Sequence, residues 1–235
     1  MFKIGMFDSG IGGLNTLEEV KKYMPNEDII YYQDSIHNPY GEKTDDELEN
    51  ITTNIVNFLI NNGVKEIIVA CNTATTRCIK RLREKYKDII FIGTEPAIKV
   101  AIDKGYKNIL LLATPATTES TRVQELIDRY KTDQNIFKVA APGLANAIEE
   151  DNKVEINNLL HKYLDEYKKK NIDAIVLGCT HYSYVKEEIL SILTKAVLLD
   201  GNDGVARQAK KMLEENNLLS KEEKPGKIKI IETKK

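Results

Sequence analysis

Short apolar runs alternate with longer stretches of amphipathic spacing along the whole chain, and this alternation limits the fold more than any other feature. The apolar runs are residues 3–7, 29–32, 66–70, 89–92, 108–113, 137–140, 174–177 and 196–199, and helical spacing fills 46–61, 75–86, 118–130 and 156–170. Continuous apolar runs of this length fit strands buried on both faces, and the helices between them supply the crossovers that parallel strands require. The expectation is an α/β fold of mostly parallel sheets flanked by helices.

The pattern is also doubled. Ile67-Ile68-Val69-Ala70-Cys71-Asn72-Thr73 resembles Ile175-Val176-Leu177-Gly178-Cys179-Thr180-His181, each an apolar strand followed by a cysteine and then hydroxyl or amide side chains. Phe7-Asp8-Ser9-Gly10 and Ala113-Thr114-Pro115-Ala116 likewise both follow an apolar strand. Corresponding members stand roughly one hundred residues apart, the size of a small domain. Chance likeness between two strand-to-helix turns is the competing reading. The expectation is two similar domains facing each other, residues 1–94 plus 200–235 and residues 95–199, with the active site in the cleft between them. Thr94-Glu95-Pro96 breaks the periodicity at the boundary. Residues 220–235 are charge-rich, and 227–231 fit one more strand.

Charge and cysteine content narrow the partners. Lys plus Arg total 34 against 36 Asp plus Glu, a net charge of -2, so nothing suits the chain to a phosphate backbone and a nucleic-acid partner is not expected. No apolar run approaches the ~18 residues of a membrane span. Met1-Phe2-Lys3-Ile4-Gly5 runs directly into a strand pattern rather than a signal peptide. Three cysteines argue against a disulfide framework. A cytoplasmic location is expected.

Ligands of open α/β sheets bind outside the carboxyl ends of the strands. Asp8, Ser9, Cys71, Asn72, Thr73, Thr114, Thr117, Cys179, Thr180 and His181 all fall at such ends. Taken singly, each reads as a helix cap or turn former; their joint placement points to a site. Cys78 sits mid-helix and reads as a buried apolar side chain. Cys71 and Cys179 stand between a strand and a helix, where backbone N–H groups and the helix dipole favour thiolate. Asp8 is placed to assist Cys71, or to cap the Gly-rich turn after it, and His181 to assist Cys179, or to rest as a hydrogen-bonded ring. His37 and His161, in polar surroundings, read as surface residues. A zinc site would need more ligands than Cys179 and His181 provide. Asp8-Ser9-Gly10-Ile11-Gly12-Gly13 is neither of the common nucleotide-binding glycine motifs, and its amides suit a carboxylate as well as a phosphate.

Together, Asp8-Ser9-Gly10-Ile11-Gly12-Gly13, Pro39-Tyr40-Gly41, Cys71-Asn72-Thr73-Ala74, Thr114 with Thr117, and Gly178-Cys179-Thr180-His181-Tyr182 resemble the glutamate racemases in order and spacing, over nearly the whole chain. The resemblance implies a two-base racemase that needs no cofactor and no metal, works as a homodimer on glutamate, and supplies D-glutamate for peptidoglycan. It implies that Cys71 takes the proton from the D enantiomer, assisted by Asp8, and Cys179 from the L enantiomer, assisted by His181. Glu149 aligns with a further catalytic acid of the family, with Glu150 adjacent. Ser9, Pro39, Tyr40, Gly41, Asn72, Thr73, Thr75, Thr114, Thr117 and Thr180 would hold the substrate together with these groups. The sequence departs from the family at Asn38, where phenylalanine is usual, at Ser183 and Tyr184, which replace proline and leucine, and across residues 144–148. These departures bear on substrate preference and efficiency more than on reaction type.

Racemisation suits such a pair. A weakly acidic proton must leave one face of Cα and another arrive at the opposite face, which two fixed groups achieve without either moving around the substrate. The resting pair is then one thiolate and one thiol. The carbanion's charge flows into the α-carboxylate, so donors aimed there stabilise the transition state more than the ground state. A relative preferring aspartate or another amino acid, a non-catalytic two-domain amino-acid-binding protein, and a thiol redox protein are the alternatives. The Asp8-Ser9-Gly10 opening and the Thr180-His181 pair favour glutamate over aspartate. Thiols flanking a substrate stand too far apart for a disulfide, whose Cβ atoms lie within roughly 4.5 Å.

Overall fold

The computed structural model describes residues 3–234; Met1, Phe2 and Lys235, which the expected first domain includes, lie outside the described residues. In chain order the elements are β1 (Lys3–Asp8), α1 (Leu14–Tyr23), β2 (Ile29–Gln33), α2 (Asp45–Asn61), β3 (Val64–Val69), α3 (Asn72–Lys85) and β4 (Ile90–Gly93). They continue with α4 (Ile98–Asp103), β5 (Asn108–Ala113), α5 (Pro115–Thr118), α6 (Thr121–Tyr130), β6 (Asn135–Ala140) and α7 (Leu144–Glu149). Then come α8 (Lys153–Leu164), β7 (Ala174–Gly178), α9 (Lys186–Ile192), β8 (Val197–Leu199), α10 (Asn202–Glu215) and β9 (Ile228–Glu232). The chain forms two compact units, one running to Thr94 and resuming at Asn202, the other Glu95–Gly201.

Each unit is a parallel sheet with helices on both faces. The first sheet has the order β4-β3-β1-β2-β9 and the second β6-β5-β7-β8, every pairing parallel. The period-2 geometry of strands sends alternate side chains to opposite layers. In β3, Ile67 and Val69 join the layer under α2 and α3, while Ile68 joins the layer under α1 and α10. In the second unit, Leu110 and Leu112 of β5 pack toward α7, α8 and α9, whereas Ile109, Leu111 and Ala113 pack toward α4 and α6. Because both faces are covered at the centre of each sheet, the inner strands β1, β5 and β7 are buried almost throughout and read as apolar runs, whereas the edge strands β6, β8 and β9 are partly exposed.

Of the elements whose bounds differ from their sequence reading, three do so for evident local reasons. The helix expected over 118–130 is interrupted: the Thr118 hydroxyl donates to the carbonyls of Thr114 and Pro115, closing α5 before α6 begins. The helix expected over 156–170 is α-helical only to Leu164 and tightens to a 3₁₀ helix over Asp165–Lys169. The strand expected from residue 66 starts at Val64, because Lys65 is buried as an ion pair with Glu27 at 2.7 Å and also donates to the Leu218 carbonyl at 2.7 Å. Among the described residues no helix is long and apolar enough to cross a membrane.

Candidate active site

The strand orders create one opening per sheet. In the first unit β1 and β3 are neighbours, yet the chain leaves β1 toward β2 and leaves β3 toward β4. Their carboxyl ends therefore form a topological switch point, the usual ligand position in an open parallel sheet. Asp8 ends β1 and Ser9 follows it; Cys71 follows β3 after one residue. The Ala70 N–H donates to the Phe7 carbonyl at 3.0 Å, which carries the ladder up to the opening. Asp8, Ser9 and Cys71 are all buried there, and Ser9 Oγ lies 3.9 Å from Cys71 Sγ. Cys71 is also the N-cap of α3, its carbonyl accepting from the Thr75 N–H at 2.9 Å. The positive end of that helix favours the thiolate over the thiol.

The loop after β2 closes onto this opening. Tyr40 is buried, and its hydroxyl donates to Asp34 Oδ2 at 2.7 Å. His37 Nδ1 lies 2.9 Å from each oxygen of the same carboxylate, and the Asp34 N–H donates to the Asp8 carbonyl at 2.9 Å. Burial first, then the Asp34 carboxylate with its hydrogen bond, then Cys71 and Asp8, hold the Tyr40 phenol well above its ordinary pKa. Tyr40, Asp34, Cys71 and Asp8 thus share one electrostatic neighbourhood. Pro39 and Gly41 flank Tyr40 at the start of a short 3₁₀ turn, and Arg77 of α3 donates to the Lys43 carbonyl beyond it. Asn72 and Thr73 are buried in the first turn of α3, and Asn72 Oδ1 has no hydrogen-bond partner among the described residues. The Thr75 hydroxyl serves the framework, donating to the Val69 carbonyl at 3.1 Å and accepting from the Thr94 N–H at 3.1 Å.

In the second unit the equivalent switch point lies between β5 and β7, since the chain leaves β5 toward β6 and β7 toward β8. Gly178 ends β7, and a Cβ there would lie 2.6 Å from the Cβ of Ala113 on β5. The strands therefore approach as only glycine allows, one residue before Cys179. Thr114 follows β5 and caps α5, its Oγ1 accepting from the Thr117 N–H at 3.3 Å and donating to Thr117 Oγ1 at 3.1 Å. Cys179 opens a 3₁₀ helix, Thr180–Val185, rather than an α-helix. Its partner is His181: Cys179 Sγ lies 3.9 Å from His181 Nδ1, and His181 Nε2 lies 2.6 Å from Glu149 Oε2 at the end of α7. A carboxylate only accepts, so a neutral ring places its proton on Nε2 and turns the lone pair of Nδ1 to the thiol. Glu150, the next residue, is exposed.

The described structure thus gathers Asp8, Ser9, Tyr40, Cys71 and Asn72 at one switch point, and Cys179, Thr180, His181 and Glu149 around the β7 end of the other. Cys78 stands apart in the apolar layer under α3, and burial pushes its thiol up to about 11. The sequence reading did not single out Asp34, although it lies just past the end of β2 and obeys the same strand-end rule. Among the described residues no group of three His, Cys, Asp or Glu side chains is arranged to hold a metal ion.

The chain as a whole is similar to known proteins. Residues 17–209 match the family described as Asp/Glu/Hydantoin racemase. The glutamate racemase of Clostridium novyi is 44% identical over 232 residues, covering 97% of this chain and 90% of its own. A glutamate racemase isoform from Bacillus anthracis superposes with a TM-score of 0.86 at 26% identity, over 100% of this chain and 89% of its own. The Francisella tularensis glutamate racemase, solved in complex with D-glutamate, gives a TM-score of 0.85 at 31% identity, over 99% of this chain and 88% of its own.

Proposed function

This chain belongs to the Asp/Glu/Hydantoin racemase family, and from that premise we infer that it racemises glutamate by passing the Cα proton between two thiols, Cys71 and Cys179. The observation that carries this reading is the thiol at each sheet's switch point, one at the N-terminus of α3 beside Ser9 and the other backed by His181 and Glu149.

With D-glutamate bound, the Cys71 thiolate takes the Cα proton and the electron pair spreads into the α-carboxylate. The Cys179 thiol then delivers its proton to the opposite face, leaving L-glutamate, a Cys71 thiol and a Cys179 thiolate. The reverse reaction runs from that state, with His181 and Glu149 holding Cys179 ready to abstract. Hydroxyls of Ser9, Thr73, Thr114, Thr117 and Thr180 and backbone N–H groups offer donors to the carboxylates, in the place a metal ion or pyridoxal ring would otherwise fill. The buried oxygen of Asn72 suits the substrate ammonium. The working enzyme is a cytoplasmic homodimer, and its D-glutamate supplies peptidoglycan. The free state of all three cysteines fits a reducing compartment.

The decisive experiment is polarimetric. L- and D-glutamate each lose optical activity toward zero with the purified chain and no added cofactor. A chain that binds glutamate without changing its rotation would be a binding protein instead.

A further inference from the structure

Tyr31 lies on β2 opposite Met6 of β1 and is fully buried in the layer under α1 and α10. Its hydroxyl donates to the Gly10 carbonyl at 2.9 Å. A Cβ at Gly13 would lie 2.6 Å from that hydroxyl and 2.7 Å from the Cβ of Asp8. The phenol tip, Gly13 and Asp8 therefore share one packed space, and the turn from Ser9 to Gly13 meets that tip at both Gly10 and Gly13. Phenylalanine would fill the same volume but would leave the buried Gly10 carbonyl without this donor.

We propose that Tyr31 is a positioning residue for the Cys71 half of the reaction: its O–H fixes the Gly10 carbonyl and so sets Asp8 and Ser9 against Cys71. Asp8 is held from its carbonyl side by the Asp34 N–H at 2.9 Å, and Ser9 Oγ stands 3.9 Å from Cys71 Sγ. The turn leaving Asp8 has Tyr31 as its anchor on the opposite side from Cys71's helix. The inference rests on the reading that Cys71 serves the D enantiomer, and it assigns Tyr31 to that half alone.

Rates by themselves cannot show which half is affected. The two enantiomers have equal free energies in water, so kcat/KM must be equal in both directions for any variant. Isotope effects do separate the halves. If proton transfer at Cys71 is slowed, the carbanion formed from α-deuterated D-glutamate commits to Cys179 and the isotope effect on kcat/KM rises toward its full value. The carbanion formed from α-deuterated L-glutamate instead returns to Cys179 more often, and its isotope effect falls toward the smaller equilibrium effect for moving deuterium from carbon to sulfur.

The test compares the full-length parent, Tyr31→Phe and Tyr86→Phe with both deuterated substrates, alongside thermal melts. Tyr86 donates to Asn57 Oδ1 at 2.7 Å on an exposed helix pair and serves as control. Tyr31→Phe is expected to lower kcat/KM about 3- to 10-fold in both directions, the scale of one lost hydrogen bond, with the isotope effect rising for D and falling for L. Tyr86→Phe leaves the ratio of the two effects at the parent value. Unchanged or equally changed isotope effects in a folded Tyr31→Phe would overturn the inference. So would a chain that no longer folds, since the phenol would then serve the sheet and not the turn. A parent without racemase activity would instead overturn the reading of the reaction, and this inference with it.

Discussion

Glu149 and His181 meet at 2.6 Å across two elements, the last residue of α7 and the turn after β7. The Tyr182 hydroxyl donates to the Ala141 carbonyl at 3.2 Å, bracing the loop that leads into α7 against the turn that carries His181. The carboxylate orients the ring, and the ring addresses Cys179, in the same order as other acid–histidine–nucleophile sets.

The pair predicts opposite outcomes for two adjacent residues. Glu149→Gln removes the charge that fixes the histidine proton on Nε2 and should lower turnover by about 10- to 100-fold. Glu150→Gln, exposed on the next position, should stay at the parent rate. Steady-state kinetics of the two variants beside the parent checks both. Equal losses in the two variants would remove Glu149 from its role.

A pH effect on stability follows from Glu66. It is fully buried on β3, and neither carboxyl oxygen has a hydrogen-bond partner among the described residues. Burial first, then repulsion from Glu27, outweigh the attraction of Lys65 and raise its pKa to about 9. The folded chain keeps this proton where the unfolded chain, with an ordinary carboxyl, has released it. The stability it confers is therefore fully present below the ordinary carboxylate range and is lost as pH rises from about 4.5 to about 9. Glu66→Leu should flatten that decline, stabilising the protein more at pH 8.5 than at pH 5 in urea titrations. An identical pH slope in parent and variant would show that Glu66 is ionised in the fold.

The neighbouring ion pair behaves differently. Glu27 and Lys65 are almost wholly buried and 2.7 Å apart, and Glu27 also accepts from the Ser220 N–H at 2.6 Å. Lys65→Met would strand a buried carboxylate beside Glu66 and should cost about 3–5 kcal/mol at neutral pH. The exposed Lys99–Asp103 pair makes the contrast: Lys99→Met should cost less than ~1 kcal/mol. Denaturant midpoints compare the two.

The parts of the fold legible in the sequence are those where one signal suffices. Strands buried on both faces announce themselves as apolar runs, and Cys71 and Cys179 stand out because the same strand-then-cysteine string occurs twice. What the sequence hides is pairing between distant positions. Lys65 and Glu66 look like a polar strand margin until Glu27 and the Leu218 carbonyl are brought beside them. Asp34 reads as an ordinary turn residue, yet it takes hydrogen bonds from Tyr40 and His37 and links them to Asp8. The choice between Glu149 and Glu150 depends on the phase at which α7 ends, which no local pattern specifies.

Substrate preference is the next test. The sequence resemblance ties Asp8-Ser9-Gly10 and Thr180-His181 to glutamate, and its departures fall at Asn38, Ser183 and Tyr184. One methylene in a fitted pocket is worth about 10- to 200-fold in kcat/KM, so glutamate should exceed aspartate by at least the lower figure. Asn38→Phe should leave that order intact. A higher kcat/KM for aspartate would reverse the assignment and point to those departures as its source.

The division of labour between the thiols admits a sharper experiment. A serine hydroxyl is a far weaker acid than a thiol and gives almost no alkoxide at neutral pH, so Cys71→Ser and Cys179→Ser should each abolish racemisation. The surviving thiolate still faces one enantiomer. With a glutamate analogue that carries a leaving group at Cβ, that thiolate takes the Cα proton. The electron pair then forms a Cα–Cβ double bond as the leaving group departs with its own pair, so no second thiol is needed. Cys71→Ser should therefore eliminate only the L analogue and Cys179→Ser only the D analogue, followed by release of the leaving anion. Cys78→Ser should match the parent, since its thiol is buried and pushed up to about 11. Near-normal racemisation in either of the first two variants would show that the two thiols are not the bases. Loss of activity in a folded Cys78→Ser would mean that the working pair includes a different cysteine.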